Sequence, residues 1–380
     1  MKIMAFILVI IMMAPFSNAL WSSPQKISSE KFLPNPVISS DGKDIYIFWK
    51  SENGSSLSYC IVKKDEILSS KAMHNVSIGT LSVKFDGKYF NIVFSSDSIH
   101  YLKIDEKGDI LRHIMVNANS PMDPDIAIDR KHNIHFAWIE RRNESYEVYY
   151  GLLIENNFSE EKIYQSNYTC KRSRIEVDSD DFVHILWYEQ LYHKRMWYAK
   201  LHDRKLLIEK ILKEDAYWPS FDIDKKNNLH IVWQDGECRG GKGVANILYT
   251  IIDKNASIVQ QKKISIEKDM KPDILVDKNG DSHVVWCGMK GIYYANISGE
   301  GKIKKYKIVD IKSPQYPLIA FANATPYVVF EKWEGGEKPY SLYYVYRISN
   351  EENNSNESPI PIYLLLLGIL IAMIYRRYHE

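Results

Sequence analysis

A short motif recurs along this chain of 380 residues. An Asp is followed six residues later by a His, and three residues after that by a Trp. Four copies keep this spacing: Asp129, His135 and Trp138; Asp178, His184 and Trp187; Asp224, His230 and Trp233; Asp277, His283 and Trp286. Three further copies, ending at Trp49, Phe94 and Phe330, have a turn one residue shorter and no His. Seven copies of one unit therefore account for most of the chain.

Each unit is built from short β-strands. A second run ending in Tyr follows each copy, and these tyrosines are 42 to 51 residues apart: Tyr59, Tyr101, Tyr150, Tyr198, Tyr249, Tyr294 and Tyr344. Within the runs, apolar and polar residues alternate, as in Ile126-Ala-Ile128, and turn residues separate them, as expected for half-buried antiparallel strands. The aromatic share of 13% also favours β structure. Four strands in a unit of about 47 residues predict an all-β, seven-bladed β-propeller, with a solenoid as the weaker alternative.

The chain ends predict how the ring closes. The last unit, up to Tyr346, supplies three strands, whereas residues Trp21–Ile27 precede the first unit and belong to no blade of their own. We expect the mature N-terminal strand to become the outer strand of the last blade, because closure removes exposed sheet edges.

The repeated pattern of Pro-x-Ile, Asp, His-x-x-Trp and Tyr-Tyr resembles the propellers of secreted microbial surface proteins in the broad sialidase-like superfamily. The resemblance covers residues 21–349 and implies the propeller fold. The Asp-box of true sialidases, Ser-x-Asp-x-Gly-x-x-Trp, is absent, so the resemblance does not imply hydrolase activity.

Both ends of the chain predict export and anchoring. Residues 1–19 combine Lys2, an apolar stretch and the small residues Ser17 and Ala19, as in a cleaved signal peptide; an uncleaved anchor is the alternative. After the propeller (20–349) and a polar linker (350–359), residues 360–375 form an uncharged apolar run of roughly 24 Å as a helix, against a hydrocarbon core of ~30 Å. The basic tail, 376–380, predicts a cytoplasmic C-terminus and a propeller outside the cell; a sorting signal that is clipped is the other interpretation.

Nine Asn-x-Ser/Thr sequons support the outside location and are candidate glycosylation sites: Asn53, Asn75, Asn143, Asn157, Asn167, Asn255, Asn296, Asn323 and Asn356. The four cysteines have no CxxC spacing, which predicts no metal site, no cofactor and at most one disulfide. The net charge of +1 argues against a nucleic-acid partner.

A residue that every blade repeats serves the blade, so we interpret the recurring Asp, His and Trp as structural. Function should lie where the blades differ, on the face that carries the loops between second and third strands. The candidate ligand face comprises Arg141, Arg142, Arg172, Arg174, Glu189, Arg195, Trp218, Asp235 and Arg239. Arginines among acids and aromatics suit a carboxylated sugar or a charged protein loop. The sequence thus predicts a non-enzymatic surface binding or adhesion module without catalytic residues; a sialidase-like glycoside hydrolase and a structural envelope component are the alternatives.

Overall fold

The structure is a computed structural model of the chain. It describes residues 21–28, 35–51, 56–75, 77–190, 194–236, 245–265, 268–335 and 340–348. The predicted signal peptide and the predicted linker, apolar run and tail, 350–380, lie outside these residues, as do Asn53, Asn356, Cys238 and Arg239. Among the residues that are described, no helix is both long and apolar enough to span a bilayer.

The described residues contain 28 strands, which form seven four-stranded sheets. Blade 1 contains β2 (Val37–Ser40), β3 (Ile45–Lys50), β4 (Ser56–Lys63) and β5 (Glu66–Asn75); blade 2 contains β6 (Leu81–Phe85), β7 (Phe90–Ser95), β8 (Ile99–Ile104) and β9 (Ile110–Val116); blade 3 contains β10 (Pro121–Ile128), β11 (Ile134–Arg142), β12 (Ser145–Ile154) and β13 (Asn157–Ser166); blade 4 contains β14 (Thr169–Val177), β15 (Val183–Gln190), β16 (Lys194–His202) and β17 (Lys205–Glu214). Blade 5 contains β18 (Ala216–Ile223), β19 (Leu229–Asp235), β20 (Asn246–Ile252) and β21 (Ile258–Lys263); blade 6 contains β22 (Met270–Val276), β23 (Ser282–Gly288), β24 (Gly291–Ile297) and β25 (Ile303–Asp310); blade 7 contains β26 (Pro314–Ala322), β27 (Thr325–Trp333), β28 (Tyr340–Tyr346) and β1 (Gln25–Ser28).

Every sheet is an antiparallel meander, so the predicted all-β, seven-bladed propeller is confirmed. In blade 7 the outer strand is β1, in which Gln25 lies opposite Tyr344. Blade 7 is also hydrogen-bonded to blade 1: the N–H of Asn323 donates to the Gly42 carbonyl at 2.8 Å, and the N–H of Lys64 donates to the Tyr327 hydroxyl at 3.1 Å.

Residues 23–345 form one compact unit. Of the second unit, the described residues are 21, 22 and 346–348. There Trp21 and Arg347 form an antiparallel bridge, and the N–H of Ser22 donates to the Tyr346 carbonyl at 2.8 Å.

The hydrophobic core lies between neighbouring blades. One cluster joins Val148 and Tyr150 of blade 3 to Trp187 of blade 4, and the other clusters likewise span two adjacent blades. The repeated aromatics are almost completely buried, as predicted: Trp138, Trp187, Trp233, Trp286, Tyr101, Tyr150, Tyr198, Tyr249, Tyr294 and Tyr344. Burial of ~150–250 Å² by each large aromatic makes these layers the main apolar contribution to blade packing.

Candidate ligand-binding site at the mouth of the central channel

The first strands of all seven blades surround a central channel of about 920 Å³. We call its end where these first strands begin the mouth. In blade 3, Pro121 at the start of β10 lies opposite Glu140 at the end of β11, which in turn lies opposite Glu147 at the start of β12. The loops between second and third strands therefore lie at the same end of the propeller as the mouth. The volume falls in the usual range for pockets that bind small molecules.

Seven equivalent positions form the rim of the mouth, each just before a first strand or within its first four residues. They are the residue that precedes the repeated proline, or its counterpart in blades 2 and 4: Asn35, Thr80, Asp123, Arg172, Trp218, Lys271 and Tyr316. Neighbouring rim residues are connected through the backbone. The N–H of Asp123 donates to Thr80 Oγ1 at 2.9 Å, and the N–H of Arg172 donates to Asp123 Oδ2 at 2.8 Å.

Six of these seven residues have a left-handed backbone, with φ of 75° at Asn35, 47° at Asp123, 58° at Arg172, 53° at Trp218, 54° at Lys271 and 47° at Tyr316. A β-bulge imposes this conformation in blades 3 to 7. Glycine adopts this conformation without steric cost, whereas for a residue with a side chain it costs on the order of 1 kcal/mol of conformational free energy. Arg, Trp, Lys and Tyr occupy such positions in blades 4 to 7, and the bulge directs the chain at the same point of each blade.

Two cations and two aromatic rings meet on the rim of blades 4 to 7. The guanidinium carbon of Arg172 lies 3.5 Å from the centre of the Trp218 ring, and Lys271 Nζ lies 3.5 Å from the centre of the Tyr316 ring. The two rings are 5.6 Å apart with 62° between their planes, and each cation also approaches the other ring, at 5.9 and 5.3 Å. The rings therefore hold both cations in place by cation–π attraction.

Carboxylates lie near these cations without pairing with them: the charge of Asp123 raises the pKa of Arg172, and the charge of Glu331 raises the pKa of Lys271. Within the described part of the chain, neither Arg172 nor Lys271 forms an ion pair, and Lys271 donates to the side-chain oxygen of Gln315. Burial lowers the pKa of Arg172 to about 10 and the pKa of Lys271 to about 8. A buried cation without a counter-ion is costly, so the arrangement favours binding of an anion.

Below the rim, Arg174 adds a third positive charge. Arg172, Arg174, Lys271, Trp218 and Tyr316 all line a small recess of about 30 Å³ beside the channel. Arg174 Nη1 is 3.9 Å from Asp125 Oδ1, and its Nε is buried without a hydrogen-bond partner among the described residues.

One buried carboxyl group, Glu331, lies behind the rim. Its Oε1 accepts the N–H of Asn35 at 2.6 Å, whereas its Oε2 is buried and has no hydrogen-bond partner among the residues described. Burial raises the pKa of Glu331 to about 7, against the opposing influence of the Asn35 hydrogen bond, Lys271 and Lys50. Glu331 is thus a titratable group next to the cationic rim.

The structure places some residues of the predicted ligand face at the channel and others outside it. Arg172, Arg174 and Trp218 line the channel. The other described candidates lie outside the channel lining: Arg141, Arg142, Glu189, Arg195 and Asp235. Arg239 lies outside the described residues.

Three of the outlying candidates have structural partners, among them Arg195, which lies 3.7 Å from Glu214. Glu189 is buried and accepts hydrogen bonds from the Tyr164 hydroxyl at 2.9 Å and from Trp197 Nε1 at 3.3 Å. Arg142 forms an ion pair of 2.9 Å with Glu140. Such internally satisfied groups have little capacity left for a ligand.

Lys271, Tyr316 and Glu331 were missed by sequence reasoning. A signal for the first two was present, since each precedes a repeated proline at the position where Trp218 also stands. Nothing in the local sequence distinguishes Glu331, because its burial depends on packing between blades 7 and 1.

The described sequons differ in accessibility. Asn143, Asn157, Asn167 and Asn255 are exposed, whereas Asn296 is half-buried in a strand between His283 and Lys304. Asn323 is exposed but its side-chain amide donates to the Lys43 carbonyl at 3.0 Å. Cys60, Cys170 and Cys287 are buried free thiols. Among the described residues, no group of three His, Cys, Asp or Glu side chains is arranged to hold a metal ion.

No protein-family model matches the chain, and no curated protein matches it either. Solved structures do match. The chain is similar to the polysaccharide lyase Uly1, with a TM-score of 0.54, 7% identity, and 88% of this chain and 93% of that chain covered. It is also similar to the β-propeller domain of Cps50 (Swd1) from Myceliophteria thermophila, with a TM-score of 0.55, 9% identity and coverage of 86% and 98%.

A third match is a subtype N10 neuraminidase-like protein of A/little yellow-shouldered bat/Guatemala/060/2010, with a TM-score of 0.47, 12% identity and coverage of 86% and 97%. At such identities the similarity concerns the fold alone. The fold that the expected resemblance implied is confirmed: the described residues form a seven-bladed propeller, in agreement with the match to the Cps50 (Swd1) β-propeller domain.

Proposed function

We propose that this protein is an exported, membrane-anchored propeller that binds an anionic glycan at the mouth of its central channel and catalyses no reaction on it. The cluster of Arg172 and Lys271 over Trp218 and Tyr316 is the observation that carries the proposal. Two preorganised cations without a carboxylate partner favour an anion, and a pocket-sized channel favours a small ring over a flat protein surface.

Export and anchoring rest on the sequence: the signal peptide, the apolar run at 360–375 and the sequons. The pairing of β1 with β28 supports the further proposal that the mature N-terminal strand completes the last blade and closes the ring. The C-terminus would then be cytoplasmic, and the propeller would lie outside the cell.

A binding role is favoured over a hydrolase that uses two carboxyl groups, as most glycoside hydrolases do, although sialidases use a tyrosine nucleophile instead. Asp273 accepts from the Ser220 hydroxyl at 2.8 Å and from the Ile319 N–H at 3.1 Å, and Glu331 Oε1 accepts from the Asn35 N–H. Asp273 is therefore held by the neighbouring strands, and Glu331 has one oxygen already engaged.

The test is a binding screen of the full chain, purified in detergent, against arrays of anionic and neutral glycans and of acidic peptides. We expect anionic glycans to bind, with a loss of about tenfold or more in the Arg172→Gln variant, because charge-assisted hydrogen bonds are lost. Arg130→Gln is the matched control, since Arg130 is exposed on a turn remote from the mouth.

If only acidic peptides bind, the ligand is a protein partner and not a glycan. Binding that is equal in both variants would contradict the mouth as the site, and turnover of a bound glycan would establish the enzyme alternative.

A further inference from the structure

A buried carboxyl group lies behind the rim of the mouth, and two cations lie on the rim. This arrangement allows the site to respond to pH. Glu331 is completely buried, and its Oε2 has no hydrogen-bond partner among the described residues. Its Oε1 accepts the N–H of the rim residue Asn35 at 2.6 Å, and Glu331 lies opposite Gln315, whose side-chain oxygen accepts from Lys271 Nζ. Its negative charge raises the pKa of Lys271 and Tyr316 on the rim and of Lys50 in blade 1. These are the charged and titratable groups that face it from the neighbouring strands.

We propose that the rim binds the anionic group of its ligand together with a proton, and that Glu331 is the residue that takes up this proton. The inference rests on the proposed function and adds its regulation. With Glu331 ionised, the carboxylate partly cancels the positive charge of Lys271 and Arg172. With Glu331 protonated, the cations attract the anion without competition from a neighbouring negative charge. The proton is then held on a carboxyl group whose Oε2 has no hydrogen-bond partner among the described residues.

The direction of the pH dependence follows from the signs of the charges. Burial places the pKa of Glu331 at about 7 and that of Lys271 at about 8. As the pH rises through this window, Glu331 becomes negative and Lys271 becomes neutral. Both changes weaken binding of an anion, so affinity is high in mild acid and falls above neutrality.

The coupling between proton uptake and anion binding sets the size of the change in affinity with pH. An affinity coupled to one proton changes by at most about tenfold for each pH unit between the pKa values of the free and bound protein. We therefore expect the affinity for an anion to fall about tenfold between about pH 6 and about pH 8.5. Uptake of the proton also predicts a binding enthalpy that depends on the ionisation enthalpy of the buffer.

The experiment uses calorimetric titration of the full chain in detergent with sodium D-glucuronate, with sodium sulfate as a second anion and D-glucose as the neutral control. Glucuronate and sulfate distinguish a uronic acid from a sulfated sugar as the source of the anion. A parallel series of titrations is made in the Lys271→Arg background. Of the two groups, Glu331 is then the one that titrates in this pH window.

In Glu331→Gln we expect wild-type affinity in mild acid and tighter binding than wild type above about pH 8, because the competing negative charge is gone. A second variant, Lys50→Met, removes a lysine that lowers the pKa of Glu331; Lys50 lines the channel and donates to the Gly79 carbonyl at 2.8 Å. It should move the fall in affinity to higher pH. Thermal unfolding verifies that both variants are folded.

A Glu331→Gln variant that loses affinity at every pH, or one that keeps the full wild-type profile, overturns the inference. So does a full chain that binds neither anion at any pH. These results are separate from the array screen: a glycan that binds through Arg172 with no dependence on pH supports the proposed function and refutes the proton uptake.

Discussion

At the scale of single residues, four blades bring the repeated Asp, His and Tyr together, and in blades 4 and 5 hydrogen bonds connect all three. His184 Nε2 lies 3.1 Å from Asp178 Oδ2, and its Nδ1 lies 2.9 Å from the hydroxyl of Tyr198. Burial lowers the pKa of His184, so the ring is neutral. Nε2 therefore donates to the carboxylate and the Tyr hydroxyl donates to Nδ1. The repeated residues hold three strands of one blade together, which explains why they recur.

Replacing Asp178 by Asn should lower the free energy of unfolding by about 1–3 kcal/mol at neutral pH, because a buried charged hydrogen-bond acceptor is lost. Burial opposes the charge on Asp178, but hydrogen bonds from His184 and backbone N–H groups outweigh it and hold its pKa below the usual value. The stabilisation is thus present above about pH 4 and disappears as the pH falls through the folded-state pKa.

Chemical denaturation at several pH values measures this difference. Asp65→Asn is the matched control, because Asp65 lies exposed in a hairpin turn, and it should change stability by no more than about 0.5 kcal/mol. An equal loss for Asp178→Asn at acid and neutral pH would argue against the ionised carboxylate as the cause.

At the scale of elements, the last blade is assembled from both ends of the propeller sequence. β1 pairs with β28 and is followed by the segment that leads into blade 1. Without β1, one edge of β28 would expose unpaired N–H and C=O groups, and such edges invite pairing with other chains.

Deleting residues 21–28 should therefore lower the midpoint of thermal unfolding and produce oligomers. Replacement of the same segment by Gly and Ser residues of equal length serves as the control for chain length, and it should behave like the deletion because it forms a poor strand. Size-exclusion chromatography and thermal denaturation provide the readouts. A monomeric deletion variant with unchanged unfolding would show that β1 is dispensable.

At the scale of the whole molecule, the channel is crossed by an ion pair. Lys84 of blade 2 pairs with Glu176 of blade 4, and both residues line the channel. Burial raises the pKa of Glu176 to about 7, although Lys84 opposes this shift; the negative charges of Asp222 and Asp125 act in the same direction as burial. The pair thus connects blades that are not adjacent in the ring.

Removing Lys84 leaves Glu176 near two other carboxylates. We expect Lys84→Met to cost about 1–3 kcal/mol of unfolding free energy above neutral pH. The penalty should shrink as the pH falls through about 7, the folded-state pKa of Glu176, because protonated Glu176 needs no counter-ion. Lys131→Met, on an exposed turn, is the control. A penalty that does not vary with pH would point to lost packing of the lysine stem.

The fold was predictable because the same spacing of residues recurs in successive units. The fixed spacing of Asp224, His230 and Trp233 across a turn recurs in other units, so one hairpin deduced locally applied to every copy. The candidate site was predictable only in part. Arg172 and Trp218 were found, whereas Lys271 and Tyr316 were overlooked although the residue before each repeated proline could have been compared between units.

The sequence by itself determined the number of blades, the order of strands and the residues that fill the core, because these depend on local alternation and on a spacing copied along the chain. Only the tertiary structure decided that Arg172, Trp218, Lys271 and Tyr316 meet, since each comes from a different blade and their contact depends on the ring. The burial of Glu331 also depends on the ring, because it results from the approach of blade 7 to blade 1, far apart in sequence.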